Sequence, residues 1–466
     1  MYLKKFLLLI VFICFISIVV GNSAGCENKT KNTDAYINNK EYTGNSNSND
    51  FTLKSNYNNE DDTKSQEIDN ANGVPSNFIA PIDPIPDNGM VITNISTAEQ
   101  LEKIGGEQST GGYYVLDNDI NLTEEWIPID DFRGTLDGQG HSINNLYILG
   151  SSGIEYGGLF GIISNSNMLG GTLCNIGINI GTLGLTATKC AGGLLGYFDS
   201  SSSEPIYISI DNCYVTGQVS VSSSSNAAYA GGLLGYSYNT SSSGNASITI
   251  LNCYATSDIS TSFVSDANSV SCAGGLIGFN FSAMSSPGPL KIENCYATGN
   301  VTVNSGDEAY AGGLIGNNNS FYSNVINNCY AIGNVSATAK GSYVGGLVGR
   351  YFTSGTGAKI TNCYSTGNVS AISASSFVSV GGLLGYINSL FVGKIENYYR
   401  LSTQTITGAN INEIGDPLSD EQMKKIESFK NWDFDTIWKI SSNINNGYPH
   451  LLIRPTSTPV YSMPDI

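Results

Sequence analysis

The chain has 466 residues and is acidic, with 39 Asp and Glu against 21 Lys and Arg and a formal net charge of −18. That balance argues against a nucleic-acid partner, because phosphate binding is driven by clustered Lys and Arg that this chain lacks. Ten Cys occur without a Cys-x-x-Cys pair, so neither a zinc ribbon nor a thioredoxin-like motif is indicated.

Lys4 and Lys5 precede an apolar run from Phe6 to Val20, and the small residues Gly21, Ser23, Ala24 and Gly25 follow it. This is the pattern of a secretory signal, shorter than the roughly 20 apolar residues of a membrane-crossing helix. Residues 1–25 are therefore expected to be a signal peptide. Ser23-Ala-Gly-Cys26 resembles the lipobox of bacterial lipoproteins, although Leu or a similar residue is usual where Ser23 stands. The resemblance implies lipid attachment at Cys26 and contact with a membrane through that lipid alone. Residues 26–90 are mostly Asn, Ser, Asp, Lys and Thr, too polar to offset the entropy of ordering, and predict a disordered stalk. Pro75, Pro81, Pro84 and Pro86 stiffen its last part.

Residues 91–156 read as an N-terminal cap and first rungs. Ser96 with Glu99 fits a capping box, and Ala98, Leu101 and Ile104 share one face of the short helix it would start, which Gly105 ends. Tyr113 to Leu116, Ile127 to Ile129 and the alternating Ile143, Leu146 and Ile148 predict strands. Asp117, Asp119, Asp130, Asp131 and Asp137, with Arg133 and His141, form the densest charged group. A polysaccharide lyase or hydrolase needs such carboxylates on one face, and calcium is the one cofactor these oxygens allow. Turn chemistry accounts for the same residues without either.

From Gly157 the pattern Gly-Gly-Leu-apolar-Gly recurs seven times, at Gly157, Gly192, Gly231, Gly274, Gly312, Gly345 and Gly381. Asn-Cys-Tyr runs in phase with it at Asn212, Asn252, Asn294, Asn328 and Asn362, with Asn-Tyr-Tyr at Asn397. Two motifs in fixed order at steps of 33 to 43 residues are the signature of a stacked repeat over residues 157–399. No helical periodicity appears. Each repeat is two or three short strands joined by bends, and parallel stacking of such coils gives a β-helix.

Stacking assigns roles to the repeated residues. Asn212, Asn252, Asn294, Asn328, Asn362 and Asn397 would form a ladder of amides at a bend. Cys213, Cys253, Cys295, Cys329 and Cys363 would form an inward column of free thiols, since parallel neighbours point the same way. Tyr214, Tyr254, Tyr296, Tyr330, Tyr364 and Tyr399 then point outward, with Thr216, Thr256, Thr298, Ile332 and Thr366 two places on. Such a stripe could bind a sugar or a surface protein by ring contact, or simply stabilise the sheet beneath a covering loop. The paired Leu and aliphatic residues of each glycine motif would face opposite ways. The Ser- and Asn-rich loops at 200–203, 222–226 and 240–245 would form the variable surface.

Residues 400–453 read as a C-terminal cap and 454–466 as a tail. Ser419 with Gln422 fits a second capping box, Met423, Ile426 and Phe429 give a short helix its apolar face, and an aromatic-rich unit follows. Caps of this kind hide open sheet edges.

Gly-Gly-Leu-apolar-Gly units preceded by Asn-Cys-Tyr-Ala-Thr-Gly-Asn-Val, as from Asn294 to Val301, resemble the GLUG-motif repeats of bacterial and archaeal secreted or surface proteins. Gly134-Thr-Leu-Asp-Gly-Gln-Gly-His141, Trp432-Asp-Phe434 and Gly447-Tyr-Pro-His-Leu451 look like that family's flanking units. The resemblance covers Val91 to about Leu451. It implies an all-β, right-handed parallel β-helix at a cell surface, often joined to modules such as an IgA-type metallopeptidase, whose His-Glu-x-x-His motif this sequence lacks. The family carries no agreed catalytic residues. The expected function is non-catalytic adhesion or ligand binding by a monomeric domain displayed on a stalk; a structural coat protein and a polysaccharide-active enzyme are the alternatives.

Overall fold

The computed structural model describes residues 92–452, apart from short segments at 107–110, 165–170, 202–205, 224–226, 241–245, 264–268, 284–288, 374–376 and 389–392. The signal segment, Cys26, the stalk, the tail and most of the three Ser- and Asn-rich loops lie outside the described residues.

The turn that begins at Lys359 shows the plan. Strands Lys359–Ser365, Val369–Ile372, Val378–Gly381 and Leu384–Ile387 follow one another around a single coil. Each pairs in parallel with its counterparts in the turns before and after, so that Tyr330, Tyr364 and Tyr399 share one register position and Gly345 and Gly381 another. Among the described residues the strands make a long 22-stranded sheet, an 8-stranded sheet and a 7-stranded sheet, joined by a 2-stranded antiparallel pair near the C-terminus. The molecule is thus the parallel β-solenoid that the repeat period predicts. Its turns hold four strands rather than two or three, because the Asn bend kinks a strand without ending it and a separate tight turn adds another.

Alternation along each strand fills the interior. Val301, Val335 and Val369 point into the core with Cys295, Cys329 and Cys363, the Ala or Val before six of the seven glycine motifs and the Leu-aliphatic pairs. Leu276 and Ile277 lie in the same core, as do the other pairs, rather than on opposite faces. The corner lies between them: the N–H groups of both donate to the same acceptor, the carbonyl of Leu314. The glycines make that corner feasible by close approach. A Cβ on Gly275 would sit 2.1 Å from the carbonyl oxygen of Gly313 in the next turn, and one on Gly274 would sit 2.1 Å from that of Ile277.

At the N-terminal end the capping box forms one residue later than predicted. Thr97 is the extended N-cap, with Gln100 as its partner. Strand Ile92–Ile95 pairs with Gly112–Leu116 and so sets where the helix begins, and Leu101 and Ile104 are then buried over the first rungs. Residues 127–129 do not form a strand; Ile127 is 77% exposed, and Ile129 makes an isolated bridge to Phe160.

Ser419 and Gln422 form the second capping box. Met423 and Phe429 are buried, whereas Ile426 is 54% exposed, because a 3-10 turn over Ile426–Ser428 replaces the longer helix that would have kept all three on one side. Strands Trp438–Ile440 and Pro449–Leu451 then pair antiparallel.

Candidate functional site: two outward faces

Six asparagines, Asn212, Asn252, Asn294, Asn328, Asn362 and Asn397, stand at the bend with φ of 51–53°. This left-handed conformation costs most residues about 1–2 kcal/mol, and Asn tolerates it through local hydrogen bonds. The amide of Asn294 donates to Asn252 at 3.1 Å, Asn328 to Asn294 at 3.0 Å, Asn362 to Asn328 at 3.1 Å and Asn397 to Asn362 at 3.0 Å. The ladder is longer than the motif. Asn212 donates to Asn175, which donates to Asp137, while Asn252 turns aside to the Asp211 carboxylate. Asn175 escaped notice because Ile176 stands where later turns have Cys.

The cysteines beside the ladder are buried thiols. Cys253, Cys295, Cys329 and Cys363 each donate to the carbonyl two residues earlier, at 2.9 to 3.1 Å. Burial pushes the thiols of Cys213 and Cys253 well above their ordinary range, which leaves them protonated and poorly reactive.

The tyrosines point away from this core, into a second apolar cluster. Tyr254, Tyr296, Tyr330 and Tyr364 stack with centroids 4.8 to 5.0 Å apart and planes within 5°. The C-terminal segment lies along them. Trp438 is 6.0 Å from Tyr330 and 6.2 Å from Tyr364, Trp432 is 5.8 Å from Tyr399, and Phe429 meets Tyr399 edge-on at 5.2 Å. The Tyr364 hydroxyl donates to the Pro449 carbonyl at 2.5 Å, and the Trp432 indole donates to the Asn397 carbonyl at 3.2 Å. From Tyr254 to Tyr399 all five rings are buried; Tyr214 alone of the six is half-buried. The segment read as an end cap is therefore a clasp along a lateral face, and from Tyr254 to Tyr399 the tyrosine stripe is closed to a sugar. Burial raises the hydroxyl pKa of Tyr254, Tyr296, Tyr330 and Tyr364.

The N-terminal acidic group is spent on backbone and side-chain turns. Asp137 accepts from the Gln139 and Asn175 side chains and the Tyr113 hydroxyl, Asp119 from the Ser142 N–H, Asp130 from the Ile162 N–H and Asp131 from the Ser164 hydroxyl. Ser96 donates to Asp117, and His141 lies 3.4 Å from Asp119. Burial raises the pKa of Asp130, with Asp131 beside it adding to the shift. Among the described residues no group of three His, Cys, Asp or Glu is placed to hold a metal ion.

A different outward face is left uncovered by the described residues. Thr186, Ser220, Ser260, Thr302, Ser336, Ser370 and Thr407 occupy one register position through seven turns. All are half-buried or exposed, while the Val or Ile before Ser220, Ser260, Thr302, Ser336 and Ser370 is buried. Thr186 and Ser220 hydroxyls lie 2.7 Å apart, and Ser336 donates to Thr302 at 3.3 Å. Beside this hydroxyl ladder Asp258, Asn300, Asn334 and Asn368 make another, each side-chain oxygen accepting the N–H of the residue one turn on. Near the N-terminal end the two ladders floor a groove of about 400 Å³, lined by Thr186, Ser220, Ser260, Thr302, Asp258 and Asn300. Leu183, 61% exposed, stands at its margin. The signal was in the sequence: Gln218-Val-Ser, Asp258-Ile-Ser, Asn300-Val-Thr, Asn334-Val-Ser and Asn368-Val-Ser keep the period of the glycine motif.

Together the kinked amide ladder and the glycine corner define a class, a parallel β-solenoid of uniform turns. The sequence model of the GLUG motif matches residues 269–302 and 340–370, each spanning a corner and the hydroxyl strand near it, so the chain carries GLUG-motif repeats in these two segments. No curated protein sequence is detectably similar. Among solved structures, a Bacteroides ovatus protein provisionally named as an immunoglobulin A1 protease is similar at 20% identity, with a TM-score of 0.44 over 83% of this chain and 100% of that one. A likeness at that level says nothing about activity. No described helix is long and apolar enough to cross a membrane.

Proposed function

We propose that the protein is a non-catalytic glycan-binding repeat protein, displayed outside the cell on a lipid-anchored stalk, and that the hydroxyl and amide ladders are its binding face. The observation that carries this reading is the in-register column from Thr186 to Thr407, left uncovered by the described residues, with a groove open along its first turns. Rungs repeat at about 4.8 Å, so a polyhydroxylated chain lying along the axis meets the same donors and acceptors at every step. Ser and Thr hydroxyls act as both donor and acceptor, which suits sugar hydroxyls, and the shallow floor accepts length rather than a single residue. The stalk and the Cys26 lipid rest on the sequence of residues 1–90, and they suit a domain held clear of a membrane.

Affinity electrophoresis of the full chain through gels containing neutral and acidic polysaccharides tests this. Retardation by at least one glycan is expected, and Ser260→Tyr or Thr302→Tyr, which fill the groove floor, should abolish it. Free migration through every gel would contradict glycan binding and favour a coat role; retardation unchanged in both variants would move the site elsewhere.

A further inference from the structure

The groove at the first turns of the hydroxyl face holds one charge that the fold does not require. Asp258 pairs in register with Gln218 on one side, and on the other its Oδ1 accepts the Asn300 N–H at 2.8 Å and the Asn300 side-chain amide at 3.2 Å. In the following turns Asn300, Asn334 and Asn368 each accept the next N–H with a neutral amide oxygen. An asparagine at 258 would therefore serve the ladder as it does in the next three turns, and the carboxylate there adds a negative charge and removes a donor.

That charge is within a ligand's reach. Asp258 is exposed, as is Ser260 two residues on. Of the residues that line the groove, Asp258 alone carries a charge. Among the described residues no Lys, Arg or His forms an ion pair with it, and both hydrogen bonds it accepts go to Oδ1, so Oδ2 is left for a donor from outside. The hydroxyls around it both donate and accept, whereas a carboxylate only accepts. A ligand lying along this floor thus meets neutral, two-way partners at each rung and one anionic acceptor, which a cationic donor fits best and another anion opposes. The chain's net charge of −18 adds to the repulsion of anions.

We infer that the groove takes a glycan built of unacetylated amino sugars, with one ammonium group on Asp258 and the neighbouring sugar hydroxyls on Ser220, Ser260 and Thr302. An ammonium carries three donors, enough to meet the remaining carboxylate oxygen while hydroxyls of the same chain reach the adjacent rungs, about 4.8 Å away. A lysine side chain would answer Asp258 and bring no hydroxyls to the ladder beside it. The inference rests on the glycan-binding reading of this face and adds to it a preference of charge.

The test is calorimetric titration of the full chain, at about pH 5.5 where aspartate is ionised, with a glucosamine hexamer and with its fully N-acetylated counterpart. The amine should bind about three- to tenfold more tightly, the worth of a charge-assisted pair in a half-open groove, and added salt should shrink the difference. Asp258→Asn, which keeps the oxygen that Asn300 uses, should remove it. Equal binding, tighter binding of the acetylated hexamer, or an unchanged preference in the Asp258→Asn chain would overturn the assignment. Should that variant fail to fold, the wild-type preference and its loss in salt decide alone. Hexalysine bound as tightly as the amine, with the same loss in the variant, would overturn the sugar in favour of a basic peptide. Binding of neither hexamer by a chain that polysaccharide gels retard would end the amino-sugar assignment and leave the glycan reading standing; no binding in either experiment would end both.

Discussion

The tyrosine face and the hydroxyl face are made in the same way, each from one outward residue per turn held in register by parallel pairing. Their fates differ. Stacked tyrosines would leave a continuous apolar strip, which water disfavours, and the chain folds its own residues 419–451 over it. Serine and threonine satisfy their hydroxyls with one another and with solvent, so their ladder needs no cover. A repeated column is therefore not by itself a binding surface; what decides is whether the rest of the chain has already used it.

The strongest way to break that contrast is to remove the clasp's anchor. Trp438→Ala should cost about 3–5 kcal/mol in chemical denaturation, as for other fully buried large aromatics, and the exposed tyrosine strip should cause self-association visible by light scattering. A monomeric variant of undiminished stability would mean that the clasp does not seal the face.

Alkaline titration sharpens the same point. The tyrosine hydroxyls are held above their ordinary pKa in the folded chain but ionise near 10 when unfolded. Between the unfolded and folded values the folded chain binds more protons, so stability is whole below about pH 10 and falls as pH rises through and beyond it. Denaturation midpoints between pH 8 and 11 should show this fall, and absorbance should show the ladder tyrosines ionising only with unfolding.

A smaller effect separates ladder bonding from backbone conformation. Asn328→Ala should lose about 1–2 kcal/mol, because it removes an amide bond and forces a Cβ residue to φ of 51°. Asn328→Gly should lose less, since glycine accepts that φ. Equal losses would place the whole effect on the hydrogen bonds. Least of all, Ser260→Val and Thr302→Val on the open face should change stability by no more than about 0.5 kcal/mol while weakening glycan retention.

The repeat period alone made the solenoid legible, and the positions of Asn, Cys and Tyr followed from alternation. What alternation cannot tell is the distance between a surface residue and a segment folded back from elsewhere. Trp432, Trp438 and Phe429 read as an end cap because nothing in their own sequence distinguishes an end from a side. Leu276 and Ile277 misled for a related reason, as the period of two assumes a straight strand and the corner falls between them. Thr186 to Thr407 was visible as a recurring triplet, yet small hydroxyl residues in a Ser-rich chain look like loop.

Nitration of the folded full chain, followed by peptide mapping, tests the covered tyrosine face most directly. Tyr254, Tyr296, Tyr330, Tyr364 and Tyr399 should stay unmodified under conditions that nitrate them all in denaturant. Modification of these five at the denatured rate would contradict the clasp and return the tyrosine stripe to the surface.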